Sequence, residues 1–575
     1  MSTSNTLPGG WPDVDELARL ANAFFKTPGG AAAPSFPTGG STYGGHGVSS
    51  ISNPQTSLPD PHGLIAEERV PTVARGLPHS EAGDGTSAAA LRPALEHIPG
   101  AAHGLELPFE RELHEVLRAL RQPAQGTPAI PASGGSQYYF SDFARFGQGT
   151  GGGLHEGALQ RELAAGRGTA PFDVELVRRD FPILQERVNG RQLVWFDNAA
   201  TTQKPLCVID RLADFYRHEN SNIHRAAHEL AARATDAYEG ARETVRGFLN
   251  ARAIQEIVFV RGATEAINLV AQTWGEQHIG EGDEIIVSQL EHHANIVPWH
   301  RLAAQKGAKL RVIPVDDDGQ VLLDEYTKLL TPRTKLVAFT QVSNALGTVT
   351  PAKRIAELAH QAGAKVLIDG AQSVSHMKVD VQDLDADFFV FSGHKIFGPT
   401  GIGVLYGKEA LLNDMSPWQG GGNMIEDVTF ERIRYQNAPA RFEAGTGNIA
   451  DAVGLGAALD YVSCLGIEAI GQYEHYLLQY ATRLLKDIPG LRLIGTAKDK
   501  ASVVSFVLDG IKTEEVGAAL NKEGIAVRSG HHCAQPILRR FGVESSVRPS
   551  LAFYNTCAEV DRLAAAVERI ASGRR

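Results

Sequence analysis

Residues 365–407 read KVLIDGAQSVSHMKVDVQDLDADFFVFSGHKIFGPTGIGVLYG, and three runs within them, KVLIDGAQ, DFFVFSGHK and IGVLYG, have the length and apolar content of buried strands. The first run ends on Asp369, with Gln372 three residues later; the second ends on Ser392-Gly393-His394-Lys395. Ligands of an open α/β sheet sit at the carboxyl ends of its strands, so Asp369 and Lys395 both arrive at a ligand-binding rim. Standing alone, such an acid is a turn or helix cap and such a lysine is solvated; the pair and its context give them meaning.

The alternation continues on both sides. LVWFDNA (193–199), EIVFVRG, DEIIVSQ, KLRVIPV and KLVAFTQVSN are further strand candidates, mostly separated by helical patterns of about 10 to 15 residues. That is the signature of a mostly parallel sheet joined by crossover helices. Beyond residue 450 a long helical stretch is followed by SVVSFVL, a helix, IAVRSG and a last helix near 558–571, which reads as a smaller α/β domain. The expected division is an arm over 1–170, a large domain over 171–450 whose first part contributes to the small one, and a small domain over 451–575.

The arm differs in composition. The first 50 residues hold 9 Gly, 5 Pro and 6 Ser, and such a stretch cannot bury enough apolar area to offset its backbone entropy, so it is expected to be largely disordered. Three apolar islands interrupt it: DVDELARLANAFFKTP, PFERELHEVLRALRQP and SQYYFSDFARFG. Isolated amphipathic islands on flexible spacers favour peptides for a partner's groove over helices docked on their own catalytic domain.

Whole-chain properties exclude several classes. With 66 acidic and 55 basic residues in 575, the net charge of −11 argues against a nucleic-acid binder. No run of about 18 apolar residues exists, so no membrane span is expected, and the N-terminus lacks the pattern of a signal or transit peptide. Four cysteines without CxxC pairing cannot form a disulfide framework, which points to a reducing compartment. Adjacent His531, His532 and Cys533 lack a second ligand pair at metal spacing, so no metal site is expected.

The chemistry of the rim follows from residue types. A lysine among glycines can bond covalently to the aldehyde of a planar ligand that approaches closely. An acid that keeps a pyridine nitrogen protonated turns the ring into an electron sink. Asp369 and Lys395 are therefore the pair pyridoxal phosphate requires. In FVRGATEAINLVAQ, Thr264 opens a helix whose N-terminus can hold a phosphate, and in SQLEHHANIVPW, His292 follows a strand end where an imidazole can stack on a ring. Cys533 lies in a Gly/His loop between Arg528 and Arg548, neighbours that favour thiolate. Cys464 and Cys207 read as packing residues, and Cys557 has no comparable neighbours.

Through FDNAATTQKP, SNIHRAAH, GATEAINLVA, EHHANIVPW, VSNALGT, IDGAQSVSH, FSGHKIFGPTGIGVLYG, WQGGG, RFEAGT and VRSGHHCAQP, residues from about 175 to 573 resemble the group II, SufS-type cysteine desulfurases of pyridoxal phosphate fold type I. The resemblance implies that Lys395 carries the cofactor, Asp369 pairs with its ring nitrogen, Gln372 bonds its phenolic oxygen and His292 stacks on it. Thr264, Ser392 and His394 would hold the phosphate, with Thr446 reaching the partner's phosphate across a homodimer interface. Asn344 and Arg548 match positions for the substrate carboxylate, His224 and Arg528 match residues lining the site, and Cys533 is the acceptor nucleophile. The implied reaction converts L-cysteine to L-alanine, leaving a persulfide on Cys533 for an acceptor protein or small thiol.

Selenocysteine lyase and cysteine sulfinate desulfinase share the cofactor residues; an aminotransferase is a more distant alternative, and an inactive scaffold recruiting a shell or assembly partner is the non-catalytic one. Gly447 departs from the family, which often has proline there. The arm resembles the cargo-loading region of desulfurases packaged in family 2 encapsulin shells, which implies a cytoplasmic enzyme held inside such a shell and supplying sulfur for storage.

Overall fold

The computed structural model describes residues 173–224 and 228–573. The 1–170 arm and its three apolar islands lie outside the described residues. A seven-stranded sheet forms the centre: β1 (Ile257–Val260), β2 (Glu284–Ser288), β3 (Lys309–Ile313), β4 (Thr334–Thr340), β5 (Lys365–Asp369), β6 (Phe388–Ser392) and β7 (Gly403–Gly407). Their order is β1-β7-β6-β5-β4-β2-β3, and β7 alone runs antiparallel to both neighbours. The physical reason is the short 393–402 connection between β6 and β7, which is too short for a crossover helix.

Every residue of β1, β2, β6 and β7 is buried, which explains why these strands read as continuous apolar runs. Alternate side chains enter two separate cores: Phe389 and Phe391 of β6 join one, Phe388 and Val390 the other. β3, at the edge, exposes Lys309 and Arg311.

Helix α1 (Glu229–Leu249) packs against α3 (Ile449–Leu465), while α2 (Ala263–Val270) follows β1 and packs on β6 and β7. Helix α4 (Ile467–Lys486) packs on the C-terminal α5 (Cys557–Ala571). A second, antiparallel sheet has the order β8-β9-β11-β10, from β8 (Leu491–Ile494), β9 (Ser505–Leu508), β10 (Arg528–Gly530) and β11 (Ser546–Arg548). Val194–Trp195 pairs in parallel with Ile525–Ala526, so an early segment is stitched to the C-terminal part.

Two sequence expectations are corrected. The strand expected over 193–199 is confined to Val194–Trp195, because beyond it Asp197 turns to an ion pair with Arg548 and Asn198 donates to Ser550 O. Cys464, expected to pack, is exposed on α3, whereas Cys207 is half-buried against the core. Helix α3 is apolar nearly all round, so sequence period did not mark its outer face. No single described helix is long and apolar enough to cross a membrane.

Candidate active site

Neighbouring parallel strands β5 and β6 deliver Asp369 and the Gly393–Lys395 turn to the same rim, with Asp369 in register with Val390. Together they line a cavity of about 180 Å³. Of the residues singled out in the sequence, Thr264, His292, Asn344, Asp369, Gln372, Ser392, His394, Lys395, Arg528, Cys533 and Arg548 all line it. His224 and Thr446 lie outside it in this chain. His224 sits 2.9 Å from Glu239, whose carboxylate raises its pKa, and 3.3 Å from Asn423; Thr446 donates to Asn222 at 3.4 Å.

Burial sets the charges in the cavity. It lowers Lys395 to about 8, with Asp369 opposing the shift, so near neutrality a fraction of this amine is unprotonated. Burial raises Asp369, against a 2.9 Å hydrogen bond from the Ala371 N–H. Burial, together with Lys395, lowers His292 to about 3. His292 is therefore a neutral ring, and because its Nδ1 accepts the Ala294 N–H at 3.1 Å, its proton sits on Nε2. His394 is lowered to about 4 in the same way.

Each wall has a local origin. The Ser392 hydroxyl oxygen accepts the Ala263 N–H at 2.9 Å and so ties the end of β6 to the first turn of α2, where Thr264 lies. A Cβ on Gly262 would stand 3.1 Å from Ser392 Oγ, so this junction needs glycine for close approach. Gln372 donates to Ala199 O at 2.7 Å, tying the 197–201 turn to the end of β5.

Cys533 sits half-buried in the loop after β10. Both His532 and Cys533 have φ of +53°, a left-handed conformation that non-glycine residues adopt at a cost. Four tethers hold the loop: Asn344 Nδ2 donates to His532 O (2.7 Å), His293 N to Cys533 O (2.8 Å), Cys533 N to His531 Nδ1 (3.0 Å), and His532 Nε2 to Ser546 O (3.0 Å). Arg548 donates to Asn344 O at 2.8 Å and to Asp197 at 3.1 Å.

Sequence reasoning about chemistry missed Asp197, His532, Thr340 and Glu291. Asp197 was visible only as part of FDNAATTQKP. His532 was weighed only as a metal ligand, although its place beside Cys533 signalled a role in the loop.

The donor set fits pyridoxal 5′-phosphate. Lys395 can bond its aldehyde, Asp369 can hold a protonated ring nitrogen, neutral His292 can lie against the ring, and the start of α2 with Ser392 and His394 can take the phosphate. Asn344 Oδ1, His532 Nδ1 and Arg548 Nε are buried without a hydrogen-bond partner, which is what a ligand-binding wall displays.

The family model for class-V aminotransferases matches residues 194–563. The chain belongs to the class-V aminotransferase family. It is 73% identical over 406 residues to a cysteine desulfurase of Synechococcus elongatus, a match covering 71% of this chain and 65% of that relative. The match thus spans less than two thirds of the length of that relative. A cysteine desulfurase of Klebsiella pneumoniae is 53% identical over 400 residues, covering 69% of this chain and 98% of the relative. Among solved structures, cysteine desulfurase CsdA from Escherichia coli, in an S-sulfonic acid form, aligns at 42% identity with a TM-score of 0.65 over 69% of this chain and 98% of its own. The cysteine desulfurase of Thermococcus onnurineus aligns at 38% identity with a TM-score of 0.67 over 70% and 99%. This class-V aminotransferase family member has the α/β architecture of fold type I, and its cofactor is pyridoxal 5′-phosphate.

Proposed function

We propose that the chain is a group II cysteine desulfurase that converts L-cysteine to L-alanine and receives the sulfur on Cys533. The observation that carries the reading is the placement of Cys533 in the cavity that also holds Lys395 and Asp369. When bound, the cofactor supplies an electron sink for the substrate Cα. Lys395, lowered to about 8, is suited to take and return the Cα proton. Arg548, with Asn344, provides the polar wall for the substrate carboxylate, and Asp197 orients the guanidinium. Arg528 and Arg548 line the cavity with positive charge, which favours a carboxylate ligand. In the transfer, the Cys533 sulfur forms a bond to the substrate sulfur as the substrate carbon–sulfur bond breaks. The thiol proton ends on the carbon of alanine, so no external oxidant or reductant is needed.

The persulfide then passes to a second protein or a small thiol. A homodimer suits Thr446, which lies outside its own cavity on the surface near Trp418 and is left to serve a partner's. The 1–170 arm is a recruitment segment for an encapsulin shell in the cytoplasm, a reading supported by its composition and apolar islands. Deleting it should leave turnover intact and abolish co-purification with a co-expressed shell protein; unchanged packaging would reject it. The desulfurase reading is tested by alanine release from L-cysteine by wild type and by Cys533→Ala. Release that survives in the variant would favour a reaction without a protein persulfide, and retained release from selenocysteine alone would favour a lyase.

A further inference from the structure

Building on the cofactor reading above, we propose that Glu291 is a positioning residue, a second buried carboxyl that fixes the turn presenting His292 and in its ionised form reinforces Asp369. Glu291 is fully buried, adjacent to His292, and no step above uses it. Its Oε1 accepts the Thr340 N–H at 3.0 Å and a very short hydrogen bond from Ser288 Oγ, and its Oε2 accepts Asn295 Nδ2 at 2.7 Å.

Two of the partners, the Thr340 N–H and the Asn295 amide, have a fixed direction. Asn295 Oδ1 already accepts the Trp299 indole N–H at 2.8 Å, so the amide nitrogen must face Glu291. Ser288 Oγ accepts the Leu290 N–H at 3.1 Å and keeps a second lone pair, so it can donate to the ionised carboxylate or accept from the protonated carboxyl. Each carboxyl oxygen thus meets one fixed donor, and Ser288 can add a third when Glu291 is ionised, a shell able to hold a carboxylate. Burial, with Asp369 nearby, raises Glu291 to about 8 even against these donors, so its carboxylate forms only around and above that pH.

The location gives the anion its role. Thr340 ends β4, lines the cavity, and is the register partner of Asp369 on β5. Glu291 is therefore one backbone amide from the carboxylate at the ring nitrogen and one peptide from the stacking histidine. Asp369 is the charged group that bears on it from a neighbouring strand; Ser288, Asn295 and Thr340 are uncharged, and His292 is neutral. With Glu291 ionised, a positive charge on the ring side of Asp369 faces two carboxylates.

The test is the pH titration of the bound cofactor's visible band in the holoenzyme without substrate, comparing wild type, Glu291→Gln, Glu291→Asp and Asn295→Ala. Removing the charge disfavours protonated forms in the cavity, so Glu291→Gln should move the midpoint down by roughly half to one pH unit. Glu291→Asp should restore part of the shift, and kcat should fall in Glu291→Gln with KM for cysteine unchanged. An unmoved midpoint in Glu291→Gln overturns the proposal. Should that variant fail to fold, Asn295→Ala, which removes the fixed donor to Oε2 and weakens the anion, must move the midpoint in the same direction; an unmoved midpoint there overturns it equally. A holoenzyme with a normal band but no alanine release would refute the desulfurase function while leaving the midpoint readable.

Discussion

Replacing His532 with alanine tests how the reactive cysteine is held. Two successive left-handed non-glycine residues cost about 1–2 kcal/mol each. Four hydrogen bonds, at about 1 kcal/mol net apiece, offset that cost. The loop therefore stands near balance, and one lost tether matters. His532→Ala keeps the strain, removes the bond from Nε2 and leaves buried Ser546 with one donor fewer, a loss of about 1–3 kcal/mol. Taking about 1.4 kcal/mol of it as lost placement of Cys533, the rate of sulfur abstraction should fall about tenfold. His532→Gly loses the same bond without the left-handed penalty, so it should recover part of the rate. The assay is single-turnover alanine formation by rapid quench, with the cofactor spectrum as a control for an intact site. A wild-type rate in His532→Ala, or a slower rate in His532→Gly than in His532→Ala, would refute the reasoning.

Other expectations concern charge and packing. Because the folded pKa of Lys395 is depressed to about 8, the unfolded cofactor-free chain binds more protons above that pH; stability should rise between about pH 8 and 10.5 by about 3 kcal/mol relative to Lys395→Met, as read from urea midpoints. Arg242, 1% exposed and paired with buried Glu443 at 2.7 Å, should cost about 3–5 kcal/mol when replaced by alanine, seen as a large drop in thermal midpoint; a drop within a degree of wild type would contradict it. Cys464 is exposed and does not line the cavity, so Cys464→Ser should leave the rate of alanine release unchanged; a large loss would contradict it.

Much of this was legible in the chain. The runs ending in Asp369 and Lys395 announced adjacent strand ends because buried parallel strands carry no polar face to confuse the reading. Eleven of the thirteen site residues meet in one cavity because they sit at strand ends, at helix starts or in the turns just beyond them, where sequence punctuation is strong. Cys464 was misread because α3 offers no polar stripe, and the 193–199 strand was overextended because past Trp195 only a single bridge, Asp197 to Ser550, continues the pairing before Asn198 turns to tertiary partners. Glu291 escaped notice because an acid beside two histidines looks like a surface turn. Its burial depends on Thr340, 49 residues away in sequence, and no local pattern encodes that pairing. His224 and Thr446 lie outside the cavity, where a single chain gives them no ligand to touch.

The central claim is that Cys533 takes sulfur from cysteine bound at Lys395. Holoenzyme mixed with L-cysteine, quenched, blocked with an alkylating agent and mapped by peptide mass spectrometry should carry one added sulfur atom on the Cys533 peptide, in step with alanine release, and none in Lys395→Ala. Alanine release with the added sulfur absent from Cys533, or found on Cys207, Cys464 or Cys557 instead, would contradict the account.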